Sequence, residues 1–162
     1  MIKRIAELYG VLENFPLSIL QFLLRFCIAM VFWNAGMVKI QSWQPTVALF
    51  ANEYRVPLLS PELAATLAAT IELTCPVLLV FGLVTRPATL PMLGMTFVIQ
   101  TFVYPDLWLI HLTWTTILLF ILTRGPGAIS LDHLLAGIVL SDSERRHPGG
   151  PQGASQSGRL GQ

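Results

Sequence analysis

The chain has 162 residues, 54% of them hydrophobic and only 12% charged, with a formal net charge of +1 and a mean hydropathy of +0.65. Soluble domains carry about twice that share of charge, so neither an ordinary soluble domain nor a disordered chain fits. The balanced charge leaves no basic footprint for nucleic acid, and two cysteines cannot frame a disulfide-stapled fold.

Residues 1–16 form an N-terminal segment bearing Lys3 and Arg4. A helix needs about 20 apolar residues to cross a ~30 Å hydrocarbon layer. Leu17 to Gly36 is the first such window, and Arg25 is its one charge. That charge, with the poor cleavage site at Trp33-Asn34-Ala35, predicts a retained span and not a signal peptide. In the following loop Pro45 opens a short helix. Val47, Phe50, Ala51 and Tyr54 share its apolar face, so it is expected to lie on the outer leaflet.

The second window, Leu63 to Val84, holds a single charge, Glu72, and ends in the tight Thr85-Arg86-Pro87 turn. Pro87 to Pro105 and Leu107 to Thr123 hold none. Gly125-Pro126-Gly127 is a turn. Ser130 then caps a short C-terminal helix with Asp132 in its first turn. Residues 141–162, rich in Gly, Ser, Gln and Pro, read as a disordered tail.

The predicted fold is an all-α membrane protein. Its membrane domain, residues 17–140, is a four-transmembrane-helix bundle with a short amphipathic outer-loop helix and a short C-terminal helix. The alternating ten-residue strands of a barrel are missing. Seven Lys and Arg residues lie on one side of the spans and two, Lys39 and Arg55, on the other. This bias predicts that both termini are cytoplasmic.

A charge inside a span is costly and marks a site by default. At 1.5 Å per residue, Arg25 lies ~12 Å from one end of its span and Glu72 ~15 Å from the opposite end of the next. Both therefore fall near the midplane and are expected to pair. Ala65, Ala68 and Ala69 share the Glu72 stripe and would admit a neighbouring helix. Pro76 frees the Glu72 carbonyl, which Arg25 would also reach. Such an intramembrane polar centre is either a pin for helix register or a site for a quinone, a proton or a small substrate.

Asn34, Lys39, Gln100 and His111 form a candidate pocket on the outer side, among aromatic residues of the interfacial belt. Arg86, Ser130 and Asp132 form a cytoplasmic-side motif, in which Arg86 would pair with Asp132. His111 is the one histidine inside the bundle, so bis-histidine haem is not expected, and no Cys-x-x-Cys or zinc motif predicts a metal site.

Several strings share a familiar order. They are Leu24-Arg25, Asn34-Ala35-Gly36-x-x-Lys39, Ala69-Thr70-Ile71-Glu72, Gly82-Leu83-x-Thr85-Arg86 and Gly125-x-Gly127-x-x-Ser130-Leu131-Asp132. Over roughly Leu20 to Ala136 the chain resembles the DoxX family of four-helix bacterial inner-membrane proteins. Members are labelled subunits of quinol oxidases, of thiosulfate–quinone oxidoreductases or of membrane oxidoreductase complexes.

The resemblance implies a multi-pass protein of the bacterial inner membrane, with a protein partner in a membrane complex and room for a homo-oligomer. It implies an accessory subunit of a redox-linked complex, with quinone at the intramembrane polar site. It adds weight to Arg25, Lys39, Glu72, Arg86 and Asp132. No intrinsic cofactor and no self-contained catalytic centre is predicted. The loop from Trp43 to Pro57 and Tyr104-Pro105 resemble a subgroup tied to metal-responsive modified-peptide systems. The corresponding expectation is a membrane carrier or assembly factor.

Overall fold

A computed structural model describes Arg4 and residues 14–146, with only the backbone of residues 139–146. Among the described residues, six α-helices follow one another from Leu17 to Arg146 and no strand occurs. The N-terminal segment, apart from Arg4 and residues 14–16, and the tail beyond Arg146 lie outside the description.

Helix α1, Leu17–Gln41, starts after Pro16 and places Lys39 in its last turn, where a cation meets the negative end of the helix dipole. Helix α2, Trp43–Leu49, begins two residues before Pro45 and runs on as a π-helical turn, Phe50–Tyr54. Arg55, at φ 42°, stops it. Helix α3, Pro61–Phe81, has Ser60 as its N-cap, accepting from Leu63 N–H, and Pro61 at its first position. It ends at Gly82, whose φ of 67° is the left-handed conformation that glycine adopts freely.

Helix α4, Thr85–Val98, passes into a π-helical segment, Ile99–Val103. A 3-10 turn, Pro105–Leu107, leads into α5, Trp108–Arg124, and Gly125 ends it. Helix α6, Leu131–Arg146, is capped by Ser130, which accepts from His133 N–H at 3.2 Å. Residues 141–146, expected in the tail, therefore continue this helix.

Among the described residues, three helical stretches are long and apolar enough to cross a membrane: Leu17–Gln41, Pro61–Phe81 and Pro105–Arg124. Their outward faces suit lipid. Leu23, Phe26, Leu67 and Leu119 are exposed. The exposed threonines of α3 hide their hydroxyls: Thr66, Thr70 and Thr74 each donate to the carbonyl four residues back, at 2.7–2.8 Å. A hydroxyl satisfied within its own helix needs no water.

The interior reverses the usual order. Arg25, Glu72, Thr85, Thr89, Thr96 and His111 are buried beside the apolar core of Ile28, Phe32, Leu79, Met92, Leu118 and Ile121.

Helix α1 packs most extensively on α3. The register is set at Gly36, where an added Cβ would lie 2.9 Å from the Cβ of Glu72 and from Leu73. At the other end, Gly82 lies against the Arg25 guanidinium and Ser130. Gly36 is therefore level with Glu72, and Arg25 is level with the end of α3. The first two turns of α1 reach beyond α3, where Gln21 lies against Gly127.

The loop helix does not float free. Phe50 packs on Ala64, Ala65 and Ala68 of α3, with Trp43, Val47 and Tyr54 around it. The alanine stripe thus receives this helix as well as α1.

Candidate functional site

The buried charges do not pair with each other. Glu72 Oε1 accepts from Lys39 Nζ at 2.7 Å. Arg25 donates from Nη1 to the Leu79 carbonyl at 3.1 Å and from Nη2 to the Ile129 carbonyl. It also lies 5.6 Å from the centroid of Phe22. The expected Arg25–Glu72 pair fails because counting from Leu17 set Arg25 too deep. Eleven residues, or ~16 Å of helix, separate Arg25 from Gly36, which is level with Glu72. Lys39, one turn beyond Gly36 on the same face, reaches back to the carboxylate. The string Asn34-Ala35-Gly36-x-x-Lys39 contained that signal.

A cavity of about 630 Å³ opens beside the ion pair, between α1, the loop helix, α3, α4 and α5. Its walls are mostly apolar and include Phe32, Ile71, Met95 and Trp114. Lys39, Glu72, His111, Tyr54 and Tyr104 supply its polar groups. Glu72 is only 2% exposed. Its Oε2 is buried with no hydrogen-bond partner. Gly94 on α4 lines the same space, and an added Cβ there would meet nothing within 4 Å.

Of the four residues expected in the outer pocket, Lys39 and His111 line this cavity. Gln100 stands behind His111, and its Oε1 accepts from His111 Nδ1 at 2.7 Å. Asn34 is exposed and outside the cavity, because the α1 face that turns inward carries Ala29, Phe32 and Gly36. Sequence reasoning missed Tyr54 and Tyr104, whose hydroxyls meet at 3.2 Å at the loop end of the cavity. Burial and the bond to Tyr104 push the Tyr54 phenol well above its ordinary range. It stays protonated and neutral.

Arg86 and Asp132 form no ion pair. Asp132 instead caps α4: its carboxylate accepts from Val84 N–H at 2.7 Å and Thr85 N–H at 2.9 Å, while its own N–H donates to the Gly82 carbonyl at 2.9 Å. The start of a helix leaves such N–H groups unpaired, which favours an anion there. Arg86 is exposed and lies near Gly125. Burial works against the Asp132 charge. The N–H groups of Thr85 and Val84 and the nearby Arg25 outweigh it and hold the carboxyl below the usual range. Ser130 completes this joint, donating to the Gly127 carbonyl at 2.7 Å.

The DoxX family model matches residues 20–105, more than half of the chain. The chain belongs to the DoxX family. The match includes Arg25, Lys39, Glu72, Arg86 and Gln100 and stops short of His111, Ser130 and Asp132. No curated protein and no solved structure matches this DoxX chain.

Proposed function

We propose that this DoxX protein binds a lipid-soluble quinone in the cavity between its helices and serves as an accessory subunit of a redox-linked complex. The observation that carries the reading is the cavity itself. It is large enough for a quinone head group and apolar in most of its wall, with an ion pair, a histidine and two tyrosines as its few polar groups. Ligand sites have this make-up. The residues present fit a quinone ring: Phe32 and Trp114, 5.6 Å apart, offer aromatic surface, and Lys39 offers a proton donor. Electrons would pass between the bound ring and a partner subunit.

In this reading α4 and its π-helical continuation form the fourth span. The protein lies in the bacterial inner membrane with both termini in the cytoplasm, as the Lys and Arg distribution supports.

The test has two arms. Protein purified from its native membrane is extracted and assayed for quinone. The native chain and Gly94→Leu are titrated with decylubiquinone in nanodiscs. Stoichiometric quinone, and binding that Gly94→Leu abolishes, support the proposal. A chain that carries no quinone and does not bind the probe overturns it. If that chain co-purifies with a peptide-modifying enzyme, the carrier or assembly-factor reading takes its place.

A further inference from the structure

We infer that the cavity holds its ligand through a hydroxyl that the ligand donates to His111 Nε2, and so selects the hydroxyl-bearing, reduced form of a ring over the form that carries only carbonyls. This deepens the cavity reading above and rests on it.

The argument begins at Pro105. Its backbone carbonyl can only accept, and it receives Gln100 Nε2 at 2.7 Å. That contact fixes which way the Gln100 amide points. Its Oε1 therefore faces His111 Nδ1, at 2.7 Å, and an amide oxygen also can only accept. Nδ1 must then carry the proton. A neutral imidazole has a single N–H, so Nε2 is left as a bare lone pair. No described group donates to it.

The ring itself is held in place. His111 is 3% exposed and packs edge-on against Trp114 at 5.1 Å, and both residues line the cavity. An acceptor set in an apolar wall is costly unless it receives a proton donor.

A second acceptor lies on a different helix. Glu72 engages Lys39 through Oε1, while the buried Oε2 has no donor. Lys39, the cationic donor of the cavity, gives one of its N–H groups to that carboxylate. Tyr54 and Tyr104 use one of their two hydroxyl protons on each other. The acceptors without a donor, His111 Nε2 and Glu72 Oε2, belong to residues that line the cavity. A ring carbonyl placed at either would set acceptor against acceptor. A ring bearing hydroxyls matches.

The experiment uses two probes that do not undergo redox chemistry, 4-nonylphenol and its methyl ether, 4-nonylanisole. Dissociation constants come from thermal-shift titrations of the full chain in detergent. The phenol is expected to bind about tenfold more tightly, the scale of one buried hydrogen bond. His111→Phe keeps a flat ring and is expected to bind both probes alike. Gln100→Leu leaves the imidazole but releases its tautomer, so the preference should shrink. If His111→Phe does not fold, Gln100→Leu carries the test.

Equal binding of both probes by the native chain overturns the inference and leaves the cavity reading standing. Binding of neither probe overturns both. A tenfold preference that survives His111→Phe, or is unchanged in Gln100→Leu, also overturns the inference.

Discussion

Arg25 and Glu72 are both buried charges on packed transmembrane helices, yet their surroundings differ in kind. Around Arg25 the chain is closed. Two backbone carbonyls from distant segments accept from its Nη1 and Nη2, its buried Nε has no partner, Gly82 lies directly against it, and Ser130 fills the space beyond. Around Glu72 the chain is open. One oxygen is paired, the other is not, and a cavity lies alongside. Close packing around a charge fixes how the helices sit, and the bonded N–H groups offset part of the cost of burying it. An opening beside a charge weakens the fold and is kept where something else must enter.

The contrast breaks most readily at Gly82. Gly82→Val forces a branched side chain into a left-handed conformation and onto Arg25 and Ser130. A loss of about 3 kcal/mol is expected from strain and overpacking, read as a fall in melting temperature in detergent. A Gly82→Val chain as stable as the native one would show that the joint is not tightly packed.

Glu72→Gln keeps the shape and removes the charge. Because Lys39 is partly exposed and can rehydrate, the loss should be smaller, about 1–2 kcal/mol, with quinone-probe binding weakened in the same preparation. A penalty as large as that of Gly82→Val would erase the distinction between the two regions.

Asp132→Asn probes the closed region more gently, at about 1 kcal/mol for a weakened helix cap. The native carboxyl titrates below its ordinary value. Its stabilisation is therefore complete above about pH 4 and is lost as the pH falls through the lower folded-state value. Melting curves from pH 7 to pH 3 should show that acid-side loss in the native chain and less of it in Asp132→Asn.

The smallest change in stability is expected at Gly94→Leu, within about 0.5 kcal/mol, since the new side chain enters open space. Loss of probe binding without loss of stability would locate the ligand in the cavity.

Much of this architecture was legible in the sequence. Charge scarcity marked the apolar helices, and Ser130 marked the start of the last one, while the window from Leu63 to Val84 ran past the true stop of α3 at Gly82. The buried charges could be named as well, because a charge in an apolar run stands out. Their partners could not. Depth counted along one helix assumes where the membrane begins, and the offset between α1 and α3 is set by the close approach at Gly36, a contact between residues 36 positions apart. Asn34 was drawn into the pocket by its type, although its helical phase turns it outward. Tyr54 read as part of the apolar face of the loop helix and Tyr104 as a belt aromatic, since only the folded loop helix brings their hydroxyls together. The carboxylate of Asp132 looked available for Arg86, because nothing in the linear order shows that the α4 N-terminus will be its nearest donor.

The joint at Arg25 also orders events during synthesis. Its two acceptors are separated from it by 54 and 104 positions along the chain. The first span therefore leaves the ribosome with a guanidinium that has no lasting partner, and the last of its bonds waits for Ile129. Asp132, which ties the turn after α3 to the start of α6, arrives later still. A nascent chain that stops before residue 129 holds all its long apolar helices but not the residues that lock them. Closure of the joint therefore waits until Asp132 has been added to the chain.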